Sequence, residues 1–109
     1  MDQHAIVIAD QTGVIRLWSG GAERLIGHSA ADAVGRKLDL IVPEELRAQH
    51  WAGFGRVMDG GPFGGAGQFF DLPVQCRDGA TKTLRGQLHV LRNEAGHAIG
   101  AMALFTAPP

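Results

Sequence analysis

One segment of this chain is long enough to form a full helix, and it constrains the fold more than any other. The segment Pro43–Asp59 reads PEELRAQHWAGFGRVMD, and glycines follow it. A proline fits the first helical position, and the two glutamates after it suit the positive end of the helix dipole. Leu46, His50, Phe54 and Val57 share one apolar stripe at helical spacing. The pattern therefore predicts one amphipathic helix over Pro43–Asp59, ended by the glycines.

The apolar stripe of this helix includes a histidine, His50. A buried imidazole needs a partner for its ring nitrogens, and a neutral imidazole is also a common metal ligand. Two interpretations follow from the residues. His50 is either a core histidine bonded to a carbonyl group, or it binds something that the core encloses.

Two hydrophobic runs before the long helix predict a β-hairpin. Ala5–Ala9 and Val14–Trp18 are short and rich in β-branched residues, and the sequence DQTG between them is typical of a turn. Two short helices are predicted next, each after a serine that can cap it: Gly21–Ile26 after Ser19, and Ala30–Val34 after Ser29.

Three more strands are predicted after the long helix. Residues 60–67 come first, and five of these eight residues are glycine, which indicates a flexible loop. The predicted strands are Gln68–Cys76, Thr81–Leu91 and Ala98–Thr106. The order of elements favours an α+β fold with one domain over residues 1–109. We expect a five-stranded antiparallel sheet, with the short helices and the longer helix packed on one face.

Composition excludes several classes of function. The 109 residues carry 10 basic and 11 acidic side chains without a basic run, so the electrostatic footprint of a nucleic-acid binder is missing. No stretch has the ~20 apolar residues of a membrane span. The single cysteine, Cys76, excludes an internal disulfide and fits a cytoplasmic protein. No catalytic triad, carboxylate pair or phosphate-binding loop is present, which predicts a domain without catalytic residues of its own.

Several short motifs occur in an order that resembles one known family. These are the runs AERL at 22–25, AVG at 33–35, PE at 43–44 and RDG at 77–79, together with Gly27, Ser29, Arg47, His50 and Arg56. In this order they resemble the PAS domain. The spacing of Arg47, His50 and Arg56 is narrower, and it is similar to that of the haem-binding PAS domains of oxygen-sensing histidine kinases from rhizobia.

That resemblance implies a function and a cofactor. In the haem-binding group, the histidine at the position of His50 is the proximal iron ligand, and the arginine at the position of Arg56 contacts a haem propionate. The chain would then bind haem b and detect O2, CO, NO or redox state through the iron. It would relay the change to a downstream effector domain or partner protein. The apolar last strand and Leu91 favour a homodimer.

The resemblance also predicts the wall on the distal side of the haem. The family's oxygen-binding arginine corresponds to Phe70, and one of its histidines corresponds to Gly64. The predicted cofactor-binding residues comprise Leu46, Phe54 and Val57 beside His50, and a distal wall of Gln68, Phe70, Leu84, Gly86 and Leu88. The alternative is a haem-free PAS module that mediates dimerisation or binds a small metabolite.

Overall fold

The computed structural model describes residues 4–107. Residues 1–3 and 108–109, the ends of the predicted domain span 1–109, lie outside the described residues. Five strands and three α-helices follow one another in the predicted order. The strands are β1 His4–Asp10, β2 Ile15–Trp18, β3 Phe69–Gln75, β4 Thr81–Arg92 and β5 Ala98–Thr106. The helices are α1 Gly20–Ile26, α2 Ala30–Ala33 and α3 Arg47–Met58, with 3-10 turns at Leu38–Leu40 and Glu44–Leu46.

The five strands form one antiparallel sheet in the order β2-β1-β5-β4-β3, which confirms the predicted fold class. The first strand, β1, and the last strand, β5, therefore pair side by side within the sheet. β3 is an edge strand, and it contains Pro73. A proline cannot donate to a sheet hydrogen bond, so its place at the edge agrees with the sequence pattern.

The inner face of the sheet carries small side chains at its centre. The pairing aligns Ala9 with Ala101, and Val7 with Ala103. Alternate residues of a strand share one face, so these four side chains lie together. Larger core side chains such as Ile15, Ile26 and Leu84 lie to the sides of this region or under the short helices. The centre of the sheet therefore leaves space beneath whatever covers it.

Helix α1 is tied firmly to strand β1. The Ser19 hydroxyl accepts hydrogen bonds from the Ala22 amide at 3.2 Å and from the Ile6 amide at 2.8 Å. Gly27 ends the helix with φ +104°, a conformation that glycine adopts readily. Both predicted features, the serine cap and the glycine stop, are confirmed. Ser29 likewise caps α2, which is one residue shorter than predicted.

The long helix begins later than predicted. Pro43 has ψ 141°, outside the helical range, and Glu44–Leu46 forms a 3-10 turn before α3 begins at Arg47. The prediction that Pro43 occupies the first helical position is therefore wrong. The Arg47 side chain holds the preceding segment by donating to the carbonyl oxygens of Val42 at 3.1 Å and Asp39 at 3.2 Å. These bonds join the first residue of α3 to the segment that precedes it.

The turn between β1 and β2 packs against helix α3. Gly13, with φ +82°, lies in this turn, and the Trp51 ring of α3 packs over it. A Cβ atom at this position would overlap the Trp51 ring. The turn and the helix therefore depend on each other.

We expect Gly13→Ala to lower the free energy of unfolding more than Gly35→Ala does. Both glycines have positive φ, so both variants carry backbone strain of about 1–2 kcal/mol. Only Gly13→Ala also meets a neighbour, since nothing lies within 4 Å of a Cβ atom at Gly35. Overpacking should add about 1–3 kcal/mol. Urea unfolding of both variants measures the difference, and equal losses would show that Trp51 moves away freely.

Candidate functional site

A cavity of about 600 Å³ separates helix α3 from the sheet. Leu46, His50, Phe54 and Val57 of the predicted apolar stripe line its helix side. Residues of the sheet form the opposite wall, which includes one histidine, His89, and is otherwise mainly apolar: Val7, Ala9, Leu72, Leu88, Val90, Ala101, Ala103 and Phe105. Pro62 and Phe63 of the glycine-rich loop line one end. Apolar side chains dominate this lining, as in most sites for small molecules and cofactors.

His50 presents the main polar group of the helix side. Its Nδ1 atom is buried and has no hydrogen-bond partner within residues 4–107. The ring packs against Trp51, with 4.8 Å between ring centroids, and against Phe54, with 5.8 Å. An unpaired buried polar atom costs about 1–3 kcal/mol, and native proteins rarely leave one without a reason. The His50 residue itself lines the cavity, so its ring lies next to any ligand bound there.

Burial lowers the pKa of His50 below its ordinary value of 6.5, and the nearby carboxylate of Asp39 opposes this shift in part. The imidazole is therefore neutral at neutral pH. A neutral ring nitrogen is the form that binds a metal ion or accepts a hydrogen bond. The site favours ligation over charge pairing.

Asp39 and Trp51 hold the helix that carries His50. The indole Nε1 of Trp51 donates to Asp39 Oδ1 at 2.6 Å, and the Lys37 ammonium lies 5.5 Å from the indole ring centroid. This contact joins residues twelve positions apart, on a 3-10 turn and a helix. No periodic pattern in the sequence links these two elements, so the hydrogen bond between Trp51 and Asp39 was not predicted.

Arg56 lies at the rim of the cavity, six residues after His50. Its side chain is exposed, and no hydrogen bond or ion pair engages it within the described part of the chain. A guanidinium in this place can pair with a carboxylate that points from the cavity to water.

The structure does not assemble the predicted distal wall. Of its five residues, Leu88 lines the cavity. Gln68 is exposed, and Phe70 is 38% exposed and packs beside Gly65 of the loop. Gln68 precedes the edge strand β3, which begins at Phe69 and not at Gln68 as predicted, and Phe70 is the second residue of that strand. Neither residue lines the cavity.

The other two predicted wall residues lie deeper in the fold. Leu84 is 1% exposed and belongs to the hydrophobic core. Gly86 is covered by the side chains of Leu72 and Phe105, which reach the cavity in its place. Gly64, which corresponds to a histidine of the haem-binding group, is exposed in the loop.

Sequence reasoning missed several residues of the sheet wall, including Leu72, Ala101, Ala103 and Phe105. A signal was present for the last three, since alternate residues of the final strand share one face. Strand β5 is apolar on both faces, however, so its sequence shows no alternation of polar and apolar residues that would indicate which face lines the cavity.

A second groove, of about 370 Å³, lies where the end of α1 meets the turn between β3 and β4. Charged side chains line it, including Arg77 and Lys82, and the Lys82 ammonium donates to the Leu25 carbonyl oxygen at 3.3 Å. Its lining shares no residue with that of the cavity beside His50. Within residues 4–107, no three side chains of His, Cys, Asp or Glu gather to hold a metal ion, and no helix is long and apolar enough to cross a membrane.

Comparison with known proteins places this geometry in a family. The family described as PAS fold matches residues 2–107 of the chain. The chain is similar to the sensor protein FixL of Bradyrhizobium diazoefficiens, with 39% identity over 46 residues, which is 42% of this chain and 9% of that protein. The chain thus covers only a small part of that relative's length.

Solved structures share the fold at low sequence identity. The PAS domain of a protein from Colwellia psychrerythraea is 20% identical, with a TM-score of 0.78 over 98% of this chain and 87% of that one. The PAS domain of the Cronobacter turicensis quorum-sensing receptor RpfR, in complex with C12:0, is 14% identical. Its TM-score is 0.73 over 100% of this chain and 97% of that one. These likenesses show the fold alone.

We expect the ligand-free protein to lose stability as the pH falls from 7.5 to 5.5. Since the pKa of His50 is lower in the folded chain than its ordinary value of 6.5, acid protonates the unfolded chain more readily. The stabilisation is present above that value and is lost as the pH drops below it. Urea unfolding at several pH values measures this slope.

The variant His50→Gln should show a shallower pH dependence than the wild-type chain. Some slope will remain, because burial and the charge of Arg77 also lower the pKa of His28. His28→Gln therefore serves as the comparison, and it should flatten the curve independently. An unchanged slope in His50→Gln would contradict a lowered pKa of His50 in the folded chain.

Proposed function

This chain belongs to the PAS family, and we propose that it is a sensory domain of signal transduction that binds haem b through His50. The observation that carries the proposal is that His50, a half-buried histidine with an unpartnered Nδ1 within residues 4–107, lines a mainly apolar cavity of about 600 Å³. Cofactor sites typically have about 300–1,000 Å³ and few polar groups. The cavity is therefore of suitable size and chemistry for a porphyrin.

The residues around the cavity fit the parts of a haem group. Haem iron can be held by a histidine side chain. His50 would provide that imidazole in its neutral form, and Leu46, Phe54 and Val57 would exclude water from the macrocycle. Arg56, exposed at the rim, would pair with a propionate.

When bound, haem would supply an iron whose binding of a diatomic gas, or change of redox state, is the signal. The sheet wall offers the apolar side chains of Leu72, Leu88 and Val90 to this region. A hydrogen-bond donor in the pocket would favour O2, whereas CO and NO would depend on such a donor less. We therefore propose that the domain favours CO or NO relative to O2 more than a site with a charged donor would.

The proposal extends to the relay of the signal. We place the domain in the cytoplasm, as a homodimer that passes its change to an effector domain or partner protein. The similarity to part of FixL, a sensor protein, supports a role within a longer signalling assembly. Exposed apolar side chains, such as Leu17 at 43% and Ile99 at 44%, are available for contacts with other protein surfaces.

A second candidate function is a haem-free sensor of a long-chain carboxylate. The RpfR domain in complex with C12:0 shares the fold over the whole length of this chain. The cavity would hold an apolar tail equally well, with Arg56 near the carboxylate. The His50 ring could then act as a hydrogen-bond partner, with no metal involved.

Haem titration separates the two candidates. We expect the wild-type chain to take up one equivalent of haem with a strong Soret band, and His50→Ala to bind at least tenfold more weakly, because the axial ligand is lost. His97→Ala, on an exposed turn, is the matched control and should bind like the wild type. A full, unchanged band in His50→Ala would exclude His50 as the ligand. A colourless wild-type protein that binds dodecanoate would favour the second candidate.

Replacing Arg56 should weaken haem binding moderately. An exposed ion pair contributes about 0.2–1 kcal/mol, so we expect Arg56→Gln to raise the Kd for haem about 1.5- to 5-fold. Salt screens such pairs, and the difference from wild type should shrink as ionic strength rises. A loss that persists in high salt would show that Arg56 acts by packing and not by charge.

A further inference from the structure

We propose that Gly53 determines the size of ligand that the cavity accepts, because its missing side chain leaves the space beside His50 that a porphyrin fills. This inference rests on the proposed haem function and adds a residue to it. Gly53 lies three residues after His50, in the interior of α3, and it lines the cavity.

The space at Gly53 is open. A Cβ atom built at this position would have only one neighbour within 4 Å, the Nη2 atom of Arg56 at 3.8 Å. The backbone of Gly53 does not need glycine, since its φ is not positive. Neither a close contact nor a strained conformation therefore explains a glycine at this place.

Glycine has a cost in the interior of a helix, where it is less favourable than any ordinary residue except proline. None of the twelve residues of α3, all of them described, is buried. The helix packs on the core through the partly buried Trp51 and Phe54, which compensates only in part for a poor helix former. A residue that weakens the helix and opens the cavity fits a role in binding better than a role in folding.

A second glycine in the same helix offers a matched control. Gly55 is also in the helix interior, and nothing lies within 4 Å of a Cβ atom there. It does not line the cavity. Side chains at the two positions should therefore have the same effect on helix propensity but different effects on the cavity.

The ligand that needs this space is broad. A side chain at Gly53 projects into the cavity within one helical turn of His50, so it competes with any group that spreads sideways from the imidazole. A porphyrin spreads in this way, whereas a single acyl chain is narrow and can pass to one side. A side chain at position 53 should therefore exclude a broad ligand such as a porphyrin more strongly than a narrow acyl chain.

The test compares Gly53→Leu, Gly53→Ala and Gly55→Leu with the wild-type chain. Urea unfolding without ligand comes first, and all three variants should have midpoints equal to or above that of the wild type, since each replaces a helix glycine. Haem titration comes second. Gly53→Leu should raise the Kd at least tenfold, Gly53→Ala should raise it less, and Gly55→Leu should stay within twofold.

Three results would overturn the inference. Wild-type affinity in Gly53→Leu would show that the space is not used. An equal loss in Gly55→Leu would show that the effect comes from the helix as a whole. If the wild-type chain itself binds no haem, the proposed function fails and the inference fails with it, a result that the wild-type titration alone distinguishes from the other two.

Discussion

The small side chains at the centre of the sheet are the constraint on which the rest of the structure depends. Ala9, Ala101 and Ala103 come from two neighbouring strands and share the inner face. A helix packs closely on a sheet when side chains fill the space between them. Here they cannot, so α3 stands away from the sheet, its apolar stripe faces a cavity, and His50 keeps a buried nitrogen without a partner.

The loss of buried packing that this arrangement causes falls on helix α3 and not on helix α1. Helix α1 packs against β1, and the Ser19 hydroxyl joins the two by accepting one hydrogen bond from each. The position of α1 on the sheet is therefore fixed by contacts within the chain. Helix α3 has two interior glycines and no buried residue. Regions with few buried contacts open at low free energy, and binding sites are often drawn from them. A ligand that fills the cavity would supply the contacts that the chain itself omits.

Local patterns predicted most of the fold and only part of the site. Alternation, turn glycines and serine caps depend on neighbours within a few residues, and they predicted the strands and the short helices correctly. Arg47, the first residue of α3, bonds to residues up to eight positions earlier, which no periodicity reveals. The positions of the predicted distal-wall residues relative to the cavity could not be read from the sequence for a related reason. Parity predicts which face Phe70 occupies, but not that the beginning of an edge strand lies beyond the cavity.

The same non-local contacts give the site a physical connection to the rest of the domain. Trp51 follows His50 in the chain, donates to Asp39 and covers Gly13 in the turn between β1 and β2. The helix cannot shift at His50 without moving this indole, because both rings belong to the same helical turn. Under the proposed function, a change at the ligand would therefore act on the Asp39 hydrogen bond and on the turn at Gly13. From that turn it would reach β1, which pairs with both β2 and β5 at the centre of the sheet. Two packed aromatic rings and one hydrogen bond are thus enough to join the cavity to the sheet.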